Sequence, residues 1–429
     1  MKKFLSLVLA LVMTMSLVTI SAGAKDFTDA DAINYDEAIA VMSAVKVIDG
    51  YPDGSFKPAT QLNRGQAAKI ICNLVLGPTT ASELPTSVAP FKDVTTDNVF
   101  AGYIAYCAKE GIVGGYADGT FKPTAPLTGY AFMKMLLGAL GYDADIEGYN
   151  DPKSWSIAVA KQALGIGLTA GLKNDFDGTK YVTREEACLY AFNTLKATMV
   201  DYDTKTSVNV GDATVTIAGS TAKPVGWDNR NTQTGIKYDG NIDDDGFVQF
   251  AEQYFTKLVR KDDADKFMRP ANTWVYDKKD VGTYVDYTKL VETYKKGVTG
   301  KDVYDLLKAA TIRDDKLEYY VDGKATTLSK NDLVRSNNDD IGETGTGVLT
   351  EIYLDKDKEL ITIVSINTYL AKASADYSEK KEYAPLKVFE TNATGKNYNV
   401  DVESVSAVKD VEKDGFYLVE ISKKDVAAG

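Results

Sequence analysis

One ten-residue segment recurs along this chain, and the recurrence constrains its fold more than any other feature. Asp49-Gly50-Tyr51-Pro52-Asp53-Gly54-Ser55-Phe56-Lys57-Pro58 returns as Gly114-Gly115-Tyr116-Ala117-Asp118-Gly119-Thr120-Phe121-Lys122-Pro123, and Leu62 returns as Leu127, all at an offset of 65 residues. A third, shortened copy is Ala170-Gly171-Leu172 followed by Asp177-Gly178-Thr179-Lys180. Thr128 lies 9 residues after Gly119 but Thr183 only 5 after Gly178, so the third loop has lost four residues, including Phe-x-Pro. A unit this small buries too little apolar surface alone, so the copies must pack together.

Each copy has the same local grammar. Apolar residues at helical spacing, such as Ile39, Met42 and Val45 or Phe100, Ile104 and Cys107, predict helices over 35–47, 99–110 and 154–164. The Gly-Tyr-x-Asp-Gly turn stops that helix, its glycines being free to take positive φ. Phe-Lys-Pro is an extended hook whose Phe is expected in the core. A second helix then starts at Asn63, Thr128 or Thr183, each a good N-cap residue. Thr183-Arg184-Glu185-Glu186 is a capping box, and Asn63 with Gln66 approximates one.

This grammar resembles the S-layer homology (SLH) domain, in three tandem copies across residues 27–198. The resembling residues are the leading Phe27-Thr28-Asp29, Phe91-Lys92-Asp93 and, weakly, Tyr149-Asn150-Asp151, then the Gly-Tyr-x-Asp-Gly-x-Phe-x-Pro loop and the Thr-Arg-Ala-Glu helix start. The resemblance implies an all-α, pseudo-three-fold helical bundle that clamps pyruvylated secondary cell-wall polysaccharide between repeats. It nominates Arg64, Thr183 and Arg184, with loop residues Asp53, Gly54, Lys57, Asp118 and Gly119, as the polysaccharide-binding set. Arginine suits this role because a ketal-pyruvate carboxylate is planar and matches a guanidinium fork, and helix N-termini favour anions. The alternative is that both arginines pair with nearby acids on a solvated face. Gly129 stands where the second copy's arginine belongs, so the site there is expected to be weak. The better-preserved motif ranks Arg184 above Arg64.

Composition narrows the chemistry. The chain has no histidine, which excludes a Ser-His-Asp triad, a Cys-His dyad and a His-ligated zinc built from this chain. Carboxylate-only chemistry, such as glycoside hydrolysis, survives that cut. With 49 basic and 61 acidic residues, net charge −12, nothing shows the basic footprint of a nucleic-acid binder. Lys2 and Lys3, the apolar run from Phe4 to Ile20 and Ala22-Gly23-Ala24 predict a signal peptide over 1–24, whose removal leaves net charge −14 and no membrane span. The cysteines Cys72, Cys107 and Cys188 are far apart in apolar helical contexts and read as buried free thiols.

Beyond Val200 the pattern turns β-rich. Strands are predicted over 207–217, 273–276, 317–321, 348–354, 360–366, 387–390 and 416–421, with Asp355-Lys356-Asp357-Lys358 as a hairpin turn. Helices are predicted over 249–260 and 301–310. Asn241, Asp243, Asp245 and Glu252 stand at positions 1, 3, 5 and 12 of an EF-hand-like loop with Gly246 at 6, a calcium candidate. The competing reading is an acidic cap on the following helix. Tyr276, Tyr284, Tyr287, Tyr294, Tyr319 and Tyr320 suit either a sugar-stacking platform or half-buried strands. Asn392-Ala393-Thr394 fits a glycosylation sequon.

The expectation is therefore a multidomain, non-enzymatic exported protein. Repeats at 25–80, 88–141 and 148–198 would form the anchor, and 205–429 an outward β-rich (α+β) region. Its expected partners are a peptidoglycan-linked secondary polysaccharide and other copies of itself in a lattice, with no cofactor other than calcium. A tethered polysaccharide hydrolase and a glycan-binding adhesin are the rival classes.

Overall fold

The structure, a computed structural model, describes residues 27–202, 206–210, 213–217, 221–227, 240–307, 312–390, 395–401 and 406–424. The expected signal peptide and sequon lie outside them. Two compact units emerge. One holds residues 27–261 with Trp274–Gly282; the other holds Asp262–Thr273 and the described chain from Thr283 onward. The repeat-bearing unit thus runs well past the expected boundary near residue 205.

The helices of the first unit are α1 (Asp36–Ala44), α2 (Arg64–Leu76), α3 (Pro78–Ser82), α4 (Ala101–Lys109), α5 (Gly129–Ala139), α6 (Trp155–Gly165), α7 (Arg184–Lys196) and α8 (Phe250–Tyr254). Both helices of each repeat form where the periodicity places them. Asn63 and Gln66 make a complete capping box, as do Thr183 and Glu186, while Thr128 caps α5 alone. The second helix of each repeat packs on the first helix of the next: α2 on α4, α5 on α6, and α7 back on α1. This cycle buries Phe56, Leu62, Ile71, Leu74, Ile104, Phe121, Phe132 and Met133 almost completely.

At the centre, three extended residues hydrogen-bond in a closed ring. Leu62 N–H donates to Val182 C=O, Val182 to Leu127 and Leu127 to Leu62, each at 2.9 Å. All three residues are buried, so these backbone groups have no water to fall back on. A second ring of the same form follows: Met199 donates to Val248, Val248 to Val225 and Val225 to Met199, again at 2.9 Å. It explains why residues 199–255 stay with the repeats. Gln249 and Glu252 form another capping box, a Val-x-x-x-Glu helix start like Val182 to Glu186 that the sequence reading missed.

The strands are β1 (Val200–Asp201), β2 (Thr206–Val210), β3 (Ala213–Ile217), β4 (Lys223–Pro224), β5 (Leu258–Ala264), β6 (Pro270–Tyr276), β7 (Lys279–Val285), β8 (Leu290–Tyr294), β9 (Leu317–Val321), β10 (Lys324–Thr326), β11 (Val348–Asp355), β12 (Leu360–Ala373), β13 (Tyr383–Phe389), β14 (Lys396–Asp401) and β15 (Phe416–Glu420). Two expectations need correction. Residues 207–217 are not one strand but the hairpin β2–β3. The helix expected over 249–260 ends at Tyr254, because Phe255 and Leu258 turn into the core and the chain pairs onward as β5.

In the second unit β12 is the spine. Its first half pairs antiparallel with β11 and parallel with β9, and its second half with β13 and β15. It outruns its expected end at Ile366 because Ala371 and Ala373 are buried against Ala384, Leu386 and Val388. The turn between β11 and β12 falls where expected, with Glu359 at φ +53°. Helix α9 (Gly300–Leu307) covers the sheet with Val303 and Leu307 against Ile352, Ile361 and Ile363.

Candidate functional site

Each of the first two repeat loops is held by two aspartates. Asp29, from the leading Phe-x-Asp, accepts hydrogen bonds from the backbone N–H of Phe56 (2.7 Å) and Lys57 (2.8 Å). Asp93 does the same for Phe121 and Lys122, both at 2.7 Å. These bonds offset the cost of Lys57 and Lys122 sitting in the left-handed region at φ +57°. They hold both carboxyls below the usual range against the opposing effect of partial burial. Asp53 and Asp118 close the turn ahead of the hook, accepting from the N–H and hydroxyl of Ser55 and Thr120. The Ser55 hydroxyl and N–H, with Lys57, bring Asp53 down to about 2. Gly54 and Gly119 supply the positive φ of that turn. The nominated loop residues thus shape the loop; Lys57 itself is exposed and pairs with Asp53 at 3.0 Å.

Both arginines reach from a helix start into the loop of the next repeat. Arg64 donates from Nε to Phe121 C=O (2.7 Å) and from Nη2 to Gly114 C=O (3.0 Å), with its guanidinium 4.3 Å from the Phe121 ring. Arg184 donates to Phe56 C=O (2.9 Å) and Asp49 C=O (3.0 Å), between the Tyr51 and Phe56 rings. Among the described residues neither makes an ion pair, so the solvated-face alternative does not describe them. The two differ in access. Arg184 is 8% exposed. Arg64 lines a groove of about 330 Å³ with Gly114, Gly115, Leu127, Lys134, Tyr149, Asn150 and Trp155.

That groove holds groups the sequence reading did not nominate. Lys134, on α5, donates to Tyr149 C=O (2.8 Å) and Asn150 Oδ1 (2.7 Å) beside the Trp155 ring. Burial lowers its pKa, with Asp145 opposing. Tyr149 is 2% exposed, and its buried hydroxyl has no hydrogen-bond partner among the described residues. Burial also raises its pKa, so it remains a protonated donor. The charged group nearest that hydroxyl is Glu147 rather than a groove cation; the groove itself offers Arg64 and Lys134, two cations that suit an oxygen-rich anion. The available signal was Tyr149 itself, a tyrosine where the other copies carry phenylalanine.

The third interface replaces arginine with rings. Gly129 leaves no room for a long side chain: a Cβ there would lie 3.1 Å from Gly178 Cα and 3.2 Å from Phe176. Tyr130 fills the gap, edge-on to Trp155 and Phe176. Thr183 serves as the N-cap of α7, its hydroxyl and backbone N–H engaged by Glu186.

The EF-hand-like loop does not assemble a ligand cage. Glu252 is fully buried and accepts from the backbone N–H of Asn241, Ile242 and Gln249. Asp245 accepts from Phe247 N–H and Gln249 Nε2, and Asn241 donates to Thr256 C=O. Among the described residues no group of three or more acids or cysteines is placed to hold a metal ion. The position-12 glutamate is committed to the capping box of α8. The tyrosines form no solvent-facing row either: Tyr284 and Tyr319 are buried, and of the six only Tyr287 is exposed.

Known proteins share this pattern. The S-layer homology domain profile matches residues 26–68 and 90–129, within the first two repeats. The surface layer protein of Brevibacillus choshinensis is 24% identical over 217 residues, 50% of this chain and 19% of that protein. An uncharacterized cell wall amidase of Bacillus anthracis is 27% identical over 176 residues, 40% of this chain and 32% of that protein. The cellulosome-anchoring protein of Acetivibrio thermocellus is 35% identical over 107 residues, 25% of this chain and 24% of that protein. This chain spans at most about a third of the length of these relatives. It is an exported cell-surface protein carrying S-layer homology domains.

Proposed function

We propose that the first unit is a pseudo-three-fold SLH bundle that anchors the protein to the cell wall. It does so by gripping an anionic, pyruvylated secondary polysaccharide in the groove of Arg64, Lys134, Tyr149 and Trp155. The observation carrying this reading is a groove that presents two cations, Arg64 and Lys134, beside the Trp155 indole. Arg64 spends Nε and Nη2 on backbone carbonyls, so it meets the carboxylate through its remaining nitrogen rather than through the full fork. Lys134 supplies a second positive charge and Trp155 a face for the sugar ring. Three repeats then act as one body, in which the first and third carry arginines and the middle one a tyrosine.

The test is co-sedimentation of the full chain with purified wall sacculi, before and after chemical removal of their non-peptidoglycan polymer. Binding should disappear with the polymer and weaken when Lys134→Ala removes the second cation. Undiminished binding to stripped sacculi overturns the reading.

A further inference from the structure

We propose that Cys72 and Cys107 form a disulfide in the exported protein, joining the first repeat to the second. Their sulfurs lie 3.6 Å apart across the α2–α4 contact. The two helices approach closely enough for each sulfur to reach the other helix's backbone: Cys72 Sγ lies 3.5 Å from Tyr103 C=O, and Cys107 Sγ 3.6 Å from Ala68 C=O. Bond formation requires the sulfurs to close to about 2.0 Å, a small displacement between helices packed this tightly. Cys188 stands apart, directed at Ala38 C=O on a different helix pair. A lone thiol among three is the remainder expected when two of them pair.

The chemistry is thiol–disulfide exchange. A Cys72 or Cys107 thiolate attacks a disulfide of an oxidoreductase or small molecule outside the membrane, forming a mixed disulfide and expelling one thiolate. The second cysteine displaces the other, so the oxidant gains two electrons as two thiols and the protein loses two protons. Export removes the chain from the reducing cytosol, where such bonds do not persist. Both sulfurs are fully buried, so the exchange belongs to folding rather than to the finished bundle. The bond has a consequence for the groove. Cys72 follows Arg64 along α2, and α4 leads directly to Gly114, whose carbonyl Arg64 holds. The disulfide therefore ties together the two arms that position Arg64.

The inference rests on export and not on the identity of the polysaccharide, so thiol state and wall binding fail independently. The experiment releases the full chain from the cell surface into denaturant with iodoacetamide and maps its peptides. One alkylated cysteine, Cys188, and a linked peptide pair carrying Cys72 and Cys107 are expected. Reductant should then lower the melting temperature of the wild type by several degrees, and leave Cys72→Ser unaffected. Three alkylated cysteines, or a bridge involving Cys188, overturn the proposal. The wild-type peptide map decides the matter even if Cys72→Ser does not fold.

Discussion

Arg64 and Arg184 hold the same place in two copies of one motif, yet their surroundings assign them different work. Arg184 is nearly buried and gives two hydrogen bonds to the first repeat's loop. Arg184→Ala leaves those carbonyls unsatisfied, which costs about 1–3 kcal/mol and should appear as a lowered melting temperature. Arg64→Ala opens onto the groove and should weaken sacculi binding about ten- to a hundredfold, the value of a charged hydrogen bond. Lysine at 64 should restore little, because it cannot bond Phe121 and Gly114 together. Equal binding loss in both variants at matched stability refutes the division. This ranking reverses the one that motif preservation suggests, because access to the groove is a tertiary property. Asp243 makes a separate prediction. Burial, with Asp245 beside it, raises its pKa to about 6, and its Oδ1 has no partner among the described residues. The fold therefore favours the neutral acid, and stability should fall as pH rises from about 4 to about 6. Because the group is half-exposed, about 1 kcal/mol is at stake. Asp243→Asn should flatten that slope and melt higher at pH 7; an unchanged slope in thermal melts would assign the pH response elsewhere.

At the scale of elements, the third loop shows how a shortened repeat still closes the cycle. Without its Phe-x-Pro it offers no hook, and Asp151 instead caps the turn at Lys153 and Ser154. Gly178 abuts the Tyr130 ring so closely that a Cβ would lie 2.3 Å from it. Gly178→Ala should therefore destabilise by about 1–3 kcal/mol, and the penalty should vanish in a Tyr130→Ala background. Additive effects in that double-mutant cycle would show the contact to be unimportant. The elements most legible in the sequence were those with local causes: N-caps at Asn63, Thr128 and Thr183, and the Phe56 and Phe121 hooks. What was not legible depended on distant partners. Phe255 and Leu258 ended a helix that local propensity would continue, and Asn73 and Asn193 bind the Val47 and Leu168 carbonyls just after the first helix of their own repeats. The Tyr149–Lys134 groove was hidden for the same reason. Its residues come from four sequence segments whose proximity only the cyclic packing creates.

For the whole molecule, the question is how much chain the anchor needs. The repeats end near residue 198 in sequence, but the unit that contains them does not. Trp274 is fully buried there, its indole N–H donating to Glu37 at 2.6 Å and its ring packed edge-on against Phe192 of α7 at 5.3 Å. The second hydrogen-bonded ring adds Val225 and Val248 to Met199, directly after α7. A chain ending at Thr198 would lose both, Met199 included, and leave Phe192 uncovered. The loss of a buried tryptophan alone costs about 3–5 kcal/mol, comparable with the whole stability of many domains. A chain ending at Gly282 keeps Trp274, both rings and the Arg64 groove. It should therefore melt cooperatively and bind wall sacculi like the full chain, whereas the shorter one should melt far lower and bind in proportion to its folded fraction. Equal melting and binding by the two truncations would place the functional boundary at the last repeat. Loss of binding in the longer one, with its fold intact, would mean that residues after Gly282 contact the wall.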